Sequence, residues 1–142
     1  MLIVIFFAPR LLLKVDYILL ITFVLFFLFT DSVTNIPIIK TFFAGLLNSK
    51  LSVLLASAGL SQIISNVPAA VLISGFTMHY RELLYGVSVG GLGTLVASLA
   101  SLISYKLYIH EYKSARYIRI FSMINFGMLF ILIAVIILIG KL

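Results

Sequence analysis

A chain of 142 residues with a mean hydropathy of +1.29, 63% hydrophobic and 10% charged, cannot dress a soluble surface, which typically carries about 25% charged residues. Its lack of cysteine excludes disulfide scaffolds, thiol catalysis and Cys-ligated zinc, and a net charge of +6 on so apolar a chain marks cytoplasmic loops rather than nucleic-acid binding. A bilayer core of roughly 30 Å takes about 20 apolar residues per helix, so the length holds about four or five spans.

In chain order, residues 1–9 form an apolar run about half a bilayer long, with no basic region before it and no clear cleavage site, so it is a poor signal peptide. Met1 reads as if it begins inside a helix. Arg10, Lys14 and Asp16 follow, then a Phe/Leu-rich transmembrane helix over 17–30 that Asp31, Asn35 and Pro37 end. A short segment at 36–47 carries Lys40. Residues 51–80 hold no Asp, Glu, Lys or Arg, and residues 83–105 are again uncharged after Arg81 and Glu82. A basic loop at 106–119 sets Lys106, Lys113, Arg116 and Arg119 against Glu111, and 120–140 reads as a plain spanning helix. Lys and Arg resist translocation, so the 106–119 loop is expected in the cytoplasm and the C-terminus outside. Tyr105, Tyr108, Tyr112 and Tyr117 flank that loop, as tyrosines do at headgroup level.

The 51–80 stretch is too long for a simple span and is broken at Ser65-Asn66-Val67-Pro68. Ser65 and Asn66 suit a helix N-cap, and Pro68 suits a first turn. Each arm of about 14 residues reaches about 21 Å, too short to cross. The reading is a re-entrant hairpin with its tip deep in the membrane, which demands a surrounding cavity. A tilted helix kinked at Pro68 is the alternative.

The second interruption is Gly86-Val87-Ser88-Val89-Gly90-Gly91-Leu92-Gly93-Thr94. Each interior glycine costs about 1 kcal/mol against alanine in a helix, so Gly90, Gly91 and Gly93 predict an unwound break, with Thr94 capping the half-helix beyond it. A small-residue packing face through Gly86 and Gly90 is the other explanation. Freed N–H groups at such breaks suit an anion and freed carbonyls a cation.

These two stretches, Ser61 to Ala70 and Gly86 to Ile103, resemble the ion transporter superfamily, which holds arsenite permeases, citrate transporters and divalent-anion symporters. The nearest likeness is to the C-terminal repeat of its anion-permease members. The resemblance implies an all-α integral membrane protein, one transporter repeat with a re-entrant helical hairpin and an unwound, broken transmembrane helix. It implies that Ser65 and Asn66 sit at the hairpin tip and that Gly90, Gly91, Gly93 and Thr94 line the unwound helix, contacting substrate and, in sodium-coupled members, the ion. Relatives often carry Asn or Asp where Ser88 stands. One Ser-Asn hairpin is present in this sequence, whereas the superfamily uses two, so a missing N-terminal repeat or another copy of the chain is the expected partner.

The function expected is therefore the C-terminal half of a secondary transporter in the cell membrane, moving a small inorganic or organic anion by alternating access, with sodium or proton coupling left open. A small non-transporting accessory protein is the alternative. No nucleophile–base pair or metal-ligand cluster accompanies the breaks, so neither an enzyme nor a resident metal or cofactor is expected. Asp16, Asp31, His79 and His110 read as interfacial residues, Asn125 as an interhelical hydrogen-bonding amide, and Phe23 to Phe29 as lipid-facing or packing surface. The basic residues at 106–119 read as meeting anionic headgroups.

Overall fold

The computed structural model describes residues 17–111 and 114–140, which are helical throughout apart from short connections, with no strand among them. The run at 1–9, Arg10, Lys14, Asp16, Tyr112, Lys113 and Lys141 lie outside the described residues. Helix α1 covers Tyr17–Thr34, α2 Pro37–Leu46, α3 Lys50–Ile64, α4 Asn66–Ser74 and α5 Tyr80–Gly90. A single 3-10 turn, Leu95–Ala97, leads to α6, Leu99–Glu111, and α7, Ser114–Gly140.

Local chemistry explains the boundaries. Asn35 and Pro37 end α1 and start α2, with Pro37 at a position whose N–H would have no intrahelical partner. Helices α2 and α3 meet at a 116° bend. Ser49 fixes that corner with a reciprocal cap: the Ser52 N–H donates to Ser49 Oγ at 3.1 Å and the Ser49 N–H donates to Ser52 Oγ at 3.0 Å.

Helix α3 stops at Ser65, whose φ of +75° lies where non-glycine residues are strained. Ser65 nevertheless serves both ladders. Its N–H donates to Ser61 O at 3.1 Å, and its carbonyl accepts the Ala69 N–H at 3.0 Å. The chain folds back there. Val53, 12 residues before Ser65, shares one buried cluster with Ile73, eight residues beyond it, together with Leu83 and Val87 of α5. A straight helix would hold Val53 and Ile73 about 30 Å apart. Leu47 and Ala69 complete the cluster, and Phe43 of α2 stacks on Phe76 at 4.5 Å between ring centroids.

Helix α5 lies against α3 through small residues. A methyl group added at Gly86 would run into Ser57 Oγ and the Leu54 carbonyl, and one at Gly90 would come within 2.8 Å of Ala58 Cα. Gly86 and Gly90 are thus a close-packing face, and the helix ladder continues to Gly90 before it breaks. The break spans 91–98. The stretch at 106–119 is less of a loop than its charge suggests, because helix runs to Glu111 and resumes at Ser114. Among the described residues, α7 is the one helix long and apolar enough to cross a membrane by itself, over Arg116–Gly140, and Leu129 is the one buried residue in that stretch. The bent pair α2–α3 passes the same test jointly.

Candidate functional site

The two interruptions meet. The end of α3, the tip at Ser65–Asn66 and the unwound stretch after Gly90 are held together by one side chain, Gln62. Its Nε2, with two hydrogens to give, lies 2.7 Å from the Gly90 carbonyl, 3.0 Å from the Leu92 carbonyl and 3.1 Å from Ala58 O. Its Oε1 accepts the Thr94 N–H at 3.0 Å. Thr94 returns the bond, donating its hydroxyl to the Gln62 carbonyl at 2.9 Å. A half-buried amide thereby satisfies backbone groups on both sides of the break, which is what lets a helix unwind in an apolar setting without orphaned polar groups.

Gly93 is required by this clamp. Its φ is +106°, and a side chain there would collide with the Gln62 amide. Thr94 is the cap of the 3-10 turn, since its Oγ1 accepts the Ala97 N–H at 3.1 Å. The half-helix α6 starts later, where Ser98 Oγ accepts the Ala100 N–H at 3.2 Å. Ser65 Oγ lies 3.4 Å from Ala97 O and 3.4 Å from Asn66 Oδ1, so the hairpin tip also reaches the 3-10 turn.

Asn66 turns its carbonyl oxygen to its own neighbour, accepting the Val67 N–H at 2.9 Å. Its Nδ2 lies over Gly91, 3.1 Å from where a Cβ would sit. A side chain at 91 would push that amide back by a few tenths of an ångström. Asn66 and Ser88 supply the polar side chains of an open cavity of about 160 Å³, otherwise walled by Val67, Ala70, Val71 and Val87. Of the six residues singled out in the sequence, Ser65, Asn66, Gly91, Gly93 and Thr94 surround the crossing of tip and break. Gly90 is the last residue of α5, packed on α3, and contributes its carbonyl to Gln62.

Sequence reasoning passed over Gln62. The signal was present: an unpaired amide in an apolar helix is costly, so Gln62 needs partners. Chemically, the arrangement offers the Asn66 amide N–H₂ and the carbonyls of a glycine-rich break, parts from which a small ion site is built.

The chain is similar to two known membrane-related proteins. It is 37% identical over 121 residues to a protein of Methanocaldococcus jannaschii named as an uncharacterized transporter, a match covering 85% of this chain and 34% of that protein. It is 35% identical over 101 residues to the inner membrane protein YbiR of Escherichia coli, covering 70% of this chain and 27% of YbiR. The chain thus spans about a quarter to a third of the length of the relatives it matches. No family model and no solved structure matches it.

Proposed function

We propose that this chain is one repeat of a secondary membrane transporter that moves a small anion by alternating access. The observation that carries the reading is the crossing of a Ser65–Asn66 hairpin tip with a glycine-rich helix break, cross-linked by Gln62. Irregular backbone of this kind inside an apolar chain is sustained where it borders a cavity or other protein. The relatives' names, an uncharacterized transporter and an inner membrane protein, agree with that setting. The resemblance to the ion transporter superfamily gives the finer assignment.

In this reading Asn66 Nδ2, at the start of α4, faces the anion, and the glycine carbonyls of the 91–94 stretch are available to a coupling cation such as sodium. The side of the site that Asn66 and Ser88 leave open is closed by the remainder of the transporter, a second repeat or another copy of the chain. Membrane position follows, with the hairpin re-entrant and α7 spanning.

Uptake by proteoliposomes tests the assignment. The chain reconstituted with its facing repeat is expected to accumulate a radiolabelled anion from a panel of arsenite, sulfate and citrate. Asn66→Ala in that assembly is expected to lower uptake at least about tenfold, the effect of about 1.4 kcal/mol of lost binding. Unchanged uptake and unchanged ion dependence in Asn66→Ala would remove the site. Saturable uptake by this chain as a monomer would remove the half-transporter reading.

A further inference from the structure

The second polar feature of the molecule lies away from the crossing, where α6 meets α7. Tyr108 and Tyr117 face each other with ring centroids 4.6 Å apart, and Phe121 continues the stack at 5.5 Å from Tyr117, inclined by 19°. Tyr105 closes on the same ring at 5.7 Å, and the Tyr117 hydroxyl lies 3.0 Å from Ser104 Oγ. This aromatic wall borders a cavity of about 340 Å³ lined by Arg116, Tyr108 and Tyr117 at one end and by Ile120, Phe121, Ile124 and Asn125 at the other, where the Asn125 amide donates to Phe121 O of its own helix at 2.9 Å.

The cavity is graded along the helix. Arg116 is the first residue of the apolar stretch Arg116–Gly140, and Ile124 lies about 12 Å further along it. Its mouth is therefore at the level of a bilayer interface and its floor among acyl chains. Arg116 is the charged residue that lines the cavity, and the sequence from 106 to 119 is predominantly basic, with Lys106, Lys113, Arg116 and Arg119 against Glu111. Arg116 is exposed, so its guanidinium is free to meet a ligand from outside the fold. A guanidinium beside phenolic rings is a phosphate-binding combination, and an apolar floor below it excludes a purely hydrophilic anion.

We infer that the α6–α7 cavity is a binding site for one anionic phospholipid, with its phosphate on Arg116 and an acyl chain along Ile120, Phe121 and Ile124. The inference rests on the membrane reading above and is independent of what is transported. A built cavity differs from diffuse attraction to a charged surface, because it assigns the effect to Arg116 rather than sharing it with Arg119.

The test is a thermal-shift titration of the full chain in neutral detergent, read by circular dichroism, with phosphatidylglycerol, phosphatidylcholine or soluble glycerol 3-phosphate added. Phosphatidylglycerol is expected to raise the melting temperature saturably, and the other two are not. Arg116→Gln is expected to weaken the response about fivefold, the effect of one basic contact. Arg119→Gln is expected to leave it nearly unchanged, and Arg116→Lys to retain most of it. Equal responses to the two lipids, equal losses in R116Q and R119Q, or a full response to glycerol 3-phosphate would each overturn the lipid site. Cell fractionation separates the two levels. Recovery of the chain in the soluble fraction would sink the membrane reading with the lipid site, whereas a membrane-bound chain indifferent to phosphatidylglycerol would sink the lipid site alone.

Discussion

Gln62 shows how much one side chain can determine. Unwinding a helix frees carbonyls and N–H groups that cost about 1–3 kcal/mol each when buried without partners. Gln62 takes up two such carbonyls and one N–H from the 90–94 stretch. Glutamate has the same shape but, when ionised, accepts only, so it opposes its oxygens to the Gly90 and Leu92 carbonyls. Gln62→Glu is expected to destabilise the fold by about 3 kcal/mol, measured as a lower midpoint of thermal unfolding in detergent. A midpoint equal to wild type would mean that the break is held by something else. Ser65 carries the complementary lesson. Its φ of +75° is held by the backbone hydrogen bonds on both sides of the tip, to Ser61 O and from the Ala69 N–H, since its own side chain makes only long contacts at 3.4 Å. Strain of this type collects where a structure holds a backbone for use.

At the scale of elements, the seam between α3 and α5 sets the crossing. Gly86 and Gly90 let the two helices approach until Ser57 and Ser61 touch backbone, and both serines return their hydroxyls to their own helix, Ser57 Oγ to Val53 O at 2.7 Å and Ser61 Oγ to Ser57 O at 2.8 Å. The interface is therefore dry and small-sided, the type that packs tightly within lipid. Gly86→Ala puts a methyl against the Leu54 carbonyl, which cannot rotate away. It is expected to cost about 2 kcal/mol through overpacking and to disturb the crossing one turn further on. Gly45→Ala, with open space around it, is the control in the same unfolding assay.

Elements of this kind were partly legible in the sequence. A run of glycines and a Ser-Asn-x-Pro motif are punctuation that local physics makes readable. Which glycines unwind and which pack was not legible, because Gly86 and Gly90 differ from Gly91 and Gly93 only in what lies across from them. The 116° corner at Ser49 was missed for a different reason. Its cap is a serine pair rather than the usual serine and glutamate, and serine is common enough in apolar helices to carry little signal. Gln62 was missed because its partners lie 28 to 32 residues away.

At the scale of the molecule, exposure dominates. Helices α1 and α7 present Ile18, Val24, Leu28, Met123, Phe130, Leu138 and other apolar side chains outward. Such a surface suits lipid or further protein, not water. The basic stretch and the turn at 75–79 are expected on opposite sides of the bilayer, with the basic side cytoplasmic. The lack of native cysteine makes this directly measurable. Met78→Cys, in an 83% exposed position, is expected to react with a membrane-impermeant maleimide on intact cells, and Lys106→Cys only after lysis. Labelling in the reverse order would invert the topology.

The Gln62 clamp also bears on how such a molecule is made. Gln62 leaves the ribosome 32 residues before Thr94, its partner across the break. Until Gly90 follows, 28 residues behind it, the amide has only Ala58 O of its own helix among its partners, and committing it to hydrocarbon in that condition costs several kcal/mol. The order of synthesis thus favours a hairpin that waits at the interface until the glycine-rich segment arrives. On the membrane reading proposed above, the two are expected to enter the bilayer as a pair, with biogenesis paced by the slower of two segments and not by either one alone.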